Sequence, residues 1–114
     1  MLEWNLAADP QQNPHTSGGC TEYLGAVTLD GNAVTRNLAY YVIAHASKFV
    51  RSGSVRIAST TLPTLPNVAF RAPNGNCILM VQNSGATPQD FNIHYHGKLL
   101  ATALPPGAVG TYVW

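Results

Sequence analysis

The stretch "NVAFRAPNGNCILMVQN", residues 67–83, contains two apolar runs separated by a tight turn. Asn74-Gly75 lies between the runs, and this dipeptide readily adopts the positive φ angles that short hairpin turns require. The pattern predicts antiparallel strands at 67–72 and 77–83. This hairpin is the strongest local structural signal in the chain.

Short strand-like runs continue on both sides of the hairpin. Further strands are predicted near 54–61, 89–96, 98–103 and 108–114, with turns between them. Strands that recur about every ten residues favour an antiparallel sandwich. The predicted fold class is therefore mainly β, an antiparallel β-sandwich with one α-helix, and residues 53–114 are assigned to the sandwich domain.

Residues 1–52 follow a different pattern, which reads strand, loop and helix. A strand is predicted at 2–7, a loop at 8–23, a short extended segment at 24–30 and a turn at Gly31-Asn32. A strand followed by a helix usually needs parallel neighbours. This half is therefore interpreted as the last β/α unit of a larger structure.

The predicted helix covers residues 35–52, with Thr35 as its N-cap and Gly53 as its terminator. Apolar residues recur at helical spacing and define one face, which we expect to be packed. That face consists of Leu38, Tyr41, Val42, His45 and Phe49.

Composition excludes several classes of partner. Charged residues make up 10% of the chain and the net charge is +1, so no basic surface for nucleic acid or anionic membrane is expected. No apolar run reaches the length of a membrane span, about 18 residues. The low charge favours a secreted or periplasmic protein, although no signal peptide is visible. Cys20 and Cys77 allow either one disulfide or two buried thiols.

Four segments in order carry a family resemblance. They are "EWNLAADPQQNPHTSGGC", "YYVIAHASKFVRSGSVRIAST", "VAFRAPNGNCILMVQN" and "LPPGAVGTYVW". Together they resemble the C-terminal end of glycoside hydrolase family 30, the glucosylceramidase-like enzymes. That family pairs a (β/α)8 barrel with a β-sandwich. The resemblance implies that residues 1–52 correspond to the last barrel strand, loop and helix, a remnant of the barrel, and 53–114 to the sandwich.

The resemblance also bears on catalysis. Retaining glycosidases use two carboxyl groups roughly 5–5.5 Å apart, and in the family these follow the fourth and seventh barrel strands. Both positions precede the segment that matches residue 1, so no catalytic residue is assigned here and enzymatic activity is left open. The chain's own carboxylates are Glu3, Asp9, Glu22, Asp30 and Asp90.

Three residues are candidates for contact with a carbohydrate or glycoside. By resemblance Trp4 corresponds to a tryptophan that walls the family's sugar pocket, where an indole face stacks on a pyranose; the alternative is a core tryptophan. Asn5 belongs to the same motif and also suits a structural hydrogen bond. His15 lies in the following loop, which is otherwise an ordinary surface loop. Many relatives carry a cysteine where this chain has Tyr23, so a local disulfide with Cys20 is excluded.

No cofactor is expected, and the sequence contains one weak candidate for a metal site. His94 and His96 alternate on a predicted strand and would share a face. Two imidazoles at that spacing can begin a metal site, which needs a third or fourth ligand. Polar surface is the alternative interpretation.

Three functions follow. The first is a non-catalytic accessory domain that supports its own or a cognate (β/α)8 barrel. The second is a stand-alone glycoside hydrolase with a site between chains. The third is a carbohydrate-binding module, whose exposed aromatics would come from Phe91, Tyr95, Tyr112 and Trp114.

Self-association is also expected. The family's sandwich takes a strand from before the barrel, and strand 2–7 would lack its barrel neighbours. Unpaired strand edges promote association, so the chain is predicted to form a homo-oligomer.

Overall fold

The computed structural model describes residues 5–114, which divide within the helix, at Ala46–Ser47, into two compact units. The described residues form nine strands and one helix. These elements are β1 (Ala7–Ala8), β2 (Val27–Asp30), β3 (Ala33–Arg36), α1 (Leu38–Phe49), β4 (Val55–Ile57), β5 (Asn67–Arg71), β6 (Cys77–Gln82), β7 (Gln89–Tyr95), β8 (Lys98–Leu104) and β9 (Val109–Val113). The sandwich strands lie within a few residues of their predicted positions.

The first unit contains a three-stranded sheet in the order β1–β2–β3. β1 runs parallel to β2, and β2 runs antiparallel to β3. Ala8 of β1 and Ala26, which directly precedes β2, are the buried apolar residues among the described residues of this unit. The predicted strand 2–7 lies partly outside the described residues, and its described part continues into β1.

The start of the helix differs from the prediction. Thr35 lies in β3 instead of capping a helix, and α1 begins at Leu38. The run Val34-Thr35 is β-branched, which favours a strand, and the turn at Gly31-Asn32 brings it back against β2. Asn37, directly before α1, donates from its side-chain amide to the Gly25 carbonyl at 2.7 Å.

The predicted packed face of the helix is exposed. No residue of α1 is buried. Leu38, Tyr41 and Val42 are 79%, 53% and 55% exposed. The helical spacing of these apolar residues is as predicted, but among residues 5–46 no element buries Leu38, Tyr41 or Val42.

The second unit is the sandwich. One sheet has four antiparallel strands in the order β4–β5–β6–β9, and the other consists of β7 and β8. Its core cluster joins strands of both sheets. The buried members are Leu65, Val81 and Leu104, with Leu79, Phe91, Ala108 and Tyr112 packed against them.

Two hairpin turns set the registers of these sheets. In the predicted Asn74-Gly75 turn, Gly75 has a φ of +89° and its N–H donates to the Ala72 carbonyl at 2.9 Å. This turn pairs Arg71 with Cys77. In the β7–β8 turn, His96 and Gly97 both have positive φ, and the turn closes on Tyr95 paired with Lys98.

Candidate functional site

The N-terminal candidates begin at the edge of the described region. Trp4 and Glu3 lie outside the described residues. Asn5 is half-buried, and its side-chain oxygen Oδ1 is buried without a hydrogen-bond partner. The chain passes very close to this atom at Gly25, where an added Cβ would lie 2.9 Å from it.

The loop after β1 is closed by a short-range contact. Both carboxylate oxygens of Asp9 accept hydrogen bonds from Asn13, one from its backbone N–H at 2.8 Å and one from its side-chain amide at 3.0 Å. These bonds favour the ionised carboxyl and lower the pKa of Asp9. An acid held ionised in this way is poorly suited to donate a proton.

His15 lies farther along this loop in an open depression of about 520 Å³. The depression is lined by Pro14, His15, Thr16, Gly19, Cys20 and Tyr23. All of these side chains are exposed. Asn5 is not among the lining residues, so within the described residues the two predicted contact residues do not share one depression.

The cysteines match neither sequence-based alternative. Both thiols are free; Cys20 is exposed in the loop and Cys77 is buried in β6. The disulfide is therefore absent, and the expectation of two buried thiols was correct for Cys77 alone.

A groove in the second unit contains further candidates. It has a volume of about 460 Å³, and its lining includes apolar residues of β5, β6 and β7, polar residues of the segment after β4, and the aromatic side chains of Tyr95 and Trp114. The rings of Tyr95 and Trp114 meet at a centroid distance of 5.5 Å. Trp114 remains 42% exposed.

The Tyr95 hydroxyl has two polar neighbours that the sequence reasoning missed. Its hydrogen bond with the Cys77 side chain, followed by desolvation, raises the pKa of Tyr95. Arg71 opposes this shift and donates from Nη2 to the Tyr95 oxygen at 2.9 Å. Arg71 and Cys77 face each other across the β5–β6 hairpin, so the hairpin prediction could have indicated their proximity but not their contact with Tyr95.

The four aromatic candidates of the sandwich divide into two pairs. Phe91 and Tyr112 pack against the core and contact each other edge to face at 5.9 Å. The Tyr112 hydroxyl is hydrogen-bonded to Thr102 Oγ1 at 3.2 Å. Phe91 also contributes to the groove lining, whereas Tyr112 does not, and Tyr95 and Trp114 line the groove without belonging to the core cluster.

His94 and His96 do not alternate on a strand. β7 ends at Tyr95, and His96 lies in the turn with a φ of +46°. The prediction that both imidazoles share a strand face is therefore wrong, because the tight turn starts one residue earlier than expected. Among residues 5–114 no three His, Cys, Asp or Glu side chains are grouped to hold a metal ion.

The family profile described as the glycosyl hydrolase family 30 β-sandwich domain matches residues 53–112. The chain belongs to glycosyl hydrolase family 30. The match lies within the second unit, which covers Ser47–Trp114, and ends within β9. The family resemblance carried by the four sequence segments is thereby confirmed, as is the mainly β sandwich class with one helix.

Individual family members match nearly the whole chain. An endo-1,6-β-D-glucanase of Trichoderma harzianum is 30% identical over 99% of this chain and 25% of its own length. The lysosomal acid glucosylceramidase of Mus musculus is 27% identical over 98% of this chain and 22% of its own length. A solved endo-β1,6-glucanase is 31% identical, covers 97% of this chain and 26% of its own, and superposes with a TM-score of 0.87. The chain thus spans about a fifth to a quarter of these relatives.

No helix in the described part of the chain is long and apolar enough to cross a membrane.

Proposed function

We propose that this chain acts as the non-catalytic sandwich and last β/α unit of a family 30 retaining glycosidase and supports the catalytic barrel. The observation that carries the proposal is the apolar face of α1. Leu38, Tyr41 and Val42 are each more than half exposed. Barrel helices pack such faces against the strands they surround.

The first sheet also suggests that a catalytic barrel packs beside this chain. β1 has one parallel neighbour, β2, among the described strands. Parallel strands are normally buried within larger sheets, and here Leu6 and Leu24 are 76% and 57% exposed. A barrel beside β1 would cover this apolar surface.

The sandwich supports a second point of contact. The groove of the second unit has an apolar lining that includes Leu79, Phe91 and Ile93. β7 pairs along one edge, with β8, and no described strand occupies its other edge. An extended segment of the cognate enzyme could pair there and fill the groove, because strand addition combines ladder hydrogen bonds with side-chain pockets.

A direct test exchanges this chain for the equivalent segment of the Trichoderma harzianum glucanase. We expect the chimera to fold and to hydrolyse β-1,6-glucan, whereas the chain alone should hydrolyse neither that glucan nor aryl glycosides. Turnover by the isolated chain would overturn the non-catalytic role and favour the stand-alone hydrolase.

A matched pair of variants makes the chimera test specific. Val42→Glu places a charge on the apolar face of α1 and should abolish folding and activity of the chimera, since a buried unpaired charge is strongly unfavourable. Ser47→Glu changes an exposed residue of the same helix and should leave both intact. Equal effects of the two substitutions would contradict docking through this face.

One observation favours carbohydrate binding as a second role. Trp114 is partly exposed beside Tyr95 in a groove that also presents Asn92 and His94, and aromatic rings beside polar groups suit a sugar ring and its hydroxyls. Affinity electrophoresis in β-1,6-glucan should then show retardation that Trp114→Ala abolishes and Tyr41→Ala, at an exposed aromatic residue outside the groove, does not. Equal mobility of wild-type chain with and without glucan would exclude this role.

A further inference from the structure

We propose that β8 is a self-pairing edge through which two copies of this chain form a symmetric dimer. β8 pairs with β7 along its whole length, from Lys98 to Leu104. No other described strand joins this sheet, so the far edge of β8 presents unpaired backbone groups. This proposal does not depend on the accessory role proposed above, because it rests on the edge of β8 and not on contact with a catalytic barrel.

The turn before β8 determines which backbone groups point outward. Two-residue turns with both φ angles positive close on a hydrogen-bonded pair, here Tyr95 and Lys98. Hydrogen-bonded and non-hydrogen-bonded pairs alternate along antiparallel strands. The N–H and C=O groups of Leu99, Ala101 and Ala103 therefore face away from β7, toward the free edge.

The side chains of β8 offer little protection against pairing. Leu99 and Leu100 are 64% and 51% exposed, and Lys98 is the single charged residue of the strand. Natural edge strands are usually shortened, bulged or charged to prevent association. A two-stranded sheet also gains stability from additional strands.

Only one register gives a two-fold symmetric dimer in which every residue of β8 is paired. An antiparallel pair of β8 strands is centred on Ala101 when all residues from 98 to 104 are paired, and the outward-facing groups then meet outward-facing groups. Leu99 lies opposite the small Ala103 of the second copy. Each Lys98 lies opposite Leu104 of the second copy, so the two ammonium groups sit at opposite ends of the interface and do not repel each other strongly.

A disulfide trap tests this register. In a Cys20→Ser background, Ala101→Cys would place two thiols on Cα atoms about 5.5 Å apart, within the range of about 4.4–6.8 Å that a disulfide spans. Ala103→Cys is the matched control, because its two copies would lie roughly 14 Å apart. We expect mild oxidation to give a covalent dimer with Ala101→Cys and at least tenfold less with Ala103→Cys.

Sedimentation equilibrium tests the interface without a trap. The mass of the wild-type chain should rise with concentration from 12.2 kDa toward twice that value. Leu99→Lys should keep the chain monomeric, because it places a charge on each half of the interface. Val55→Lys is the control, since Val55 is equally exposed, at 65%, on the different edge strand β4, and it should leave the dimer unchanged.

The outcomes are distinct. A wild-type chain that stays monomeric at millimolar concentration overturns the proposal, as does a dimer disrupted by Val55→Lys and not by Leu99→Lys. A dimer that is sensitive to Leu99→Lys but cross-links equally at both engineered cysteines contradicts the register centred on Ala101.

Discussion

The side-chain amide of Asn83 donates a hydrogen bond to the carbonyl oxygen of Leu104 at 2.9 Å. Asn83 is fully buried, with 0% of its surface exposed. The same amide donates to the carbonyls of Thr87 and Pro105, and Asn83 Oδ1 accepts from the Gly85 N–H. One side chain thus ties the end of β6 to the loops that follow β6 and β8, and its polar atoms are all satisfied.

This relationship predicts that Asn83→Asp severely destabilises the sandwich. A carboxylate cannot donate to the three carbonyl oxygens that now receive hydrogen bonds, and a buried charge would face them. We expect a loss of about 3 kcal/mol or more in the free energy of unfolding, measured by urea denaturation at neutral pH.

Asn92→Asp is the control for that experiment. Asn92 is an exposed residue of β7, so the same chemical change should alter stability by roughly 0.5 kcal/mol or less. Similar losses for the two variants would show that the hydrogen bonds of Asn83 are not the cause.

Substitution of Gly25 by alanine should destabilise the first unit alone. A Cβ at this position would lie 2.9 Å from the Ala7 carbonyl carbon and 2.9 Å from the Ala8 nitrogen, so Gly25→Ala must push β1 away. Overpacking of this kind costs about 1–3 kcal/mol. Hydrogen exchange should accelerate at Ala26 and Val27, whose N–H groups donate to the carbonyls of Asn5 and Leu6.

Gly31→Asn provides the comparison for Gly25→Ala. A Cβ added at Gly31 meets no atom within 4 Å, and the φ of +55° at this position is one that asparagine tolerates. Exchange at Ala26 and Val27 should therefore stay close to the wild-type rate. Unchanged exchange in Gly25→Ala would contradict the close approach of the two segments.

Tyr95 should titrate above the ordinary range of a tyrosine, and Cys77→Ala should lower its pKa, since the hydrogen bond to Cys77 is the main cause of the upward shift. The pKa of Tyr95 is higher in the folded than in the unfolded chain, so the protonated hydroxyl contributes to the free energy of unfolding. This contribution is complete below the unfolded pKa of about 10 and is lost as the pH rises through the folded pKa. NMR of tyrosine labelled with ¹³C at Cζ would measure the titration.

Arg71→Gln gives the opposite sign in the same titration. The Arg71 charge lowers the Tyr95 pKa, so its removal should raise the pKa further. If both substitutions moved the pKa in one direction, the contacts assigned to the Tyr95 hydroxyl would be wrong.

The hydrogen bonds to Asp9 should make stability depend on pH in the acid range. Asn13→Ala removes the side-chain donor to Asp9 and should move the pKa of the carboxyl up toward its usual 3.8. With the folded pKa lowered, the stabilisation is present above about 3.8 and is lost as the pH falls through the folded value. Carboxyl ¹³C titration would report the shift, and Gln11→Ala should not reproduce it, because Gln11 contributes through its backbone.

Most strands and turns of the sandwich could be predicted from the sequence, because they depend on residues close together in the chain. Asn74-Gly75 and Gly97 mark turns whose φ angles few other residues adopt, and the apolar runs between turns have the length of strands. The strands near 67–72, 77–83 and 89–96 were therefore predicted closely. The error at Thr35 arose because an N-cap and a strand residue look alike when the partner strand is unknown.

The candidate site was less predictable. The sequence gives no means of ranking Phe91, Tyr95, Tyr112 and Trp114 as contact residues. In the structure Tyr112 packs against the core, Phe91 both packs there and lines the groove, and Tyr95 and Trp114 line the groove alone. The contact of Arg71 and Cys77 with Tyr95 joins β5, β6 and β7, and no sequence spacing encodes it. Trp4 and its proposed contact with sugar stay a prediction, as does His15.

By itself the sequence determined the turns, the strand periodicity, the helical face and the family, because each depends on neighbouring residues or on ordered local motifs. The tertiary structure alone decided which side chains are buried, which groups meet at Tyr95 and Asn83, and which edges are left unpaired. Those properties depend on the pairing of segments far apart in the chain, and such pairing is settled by packing and by the hydrogen bonds that each buried group must find.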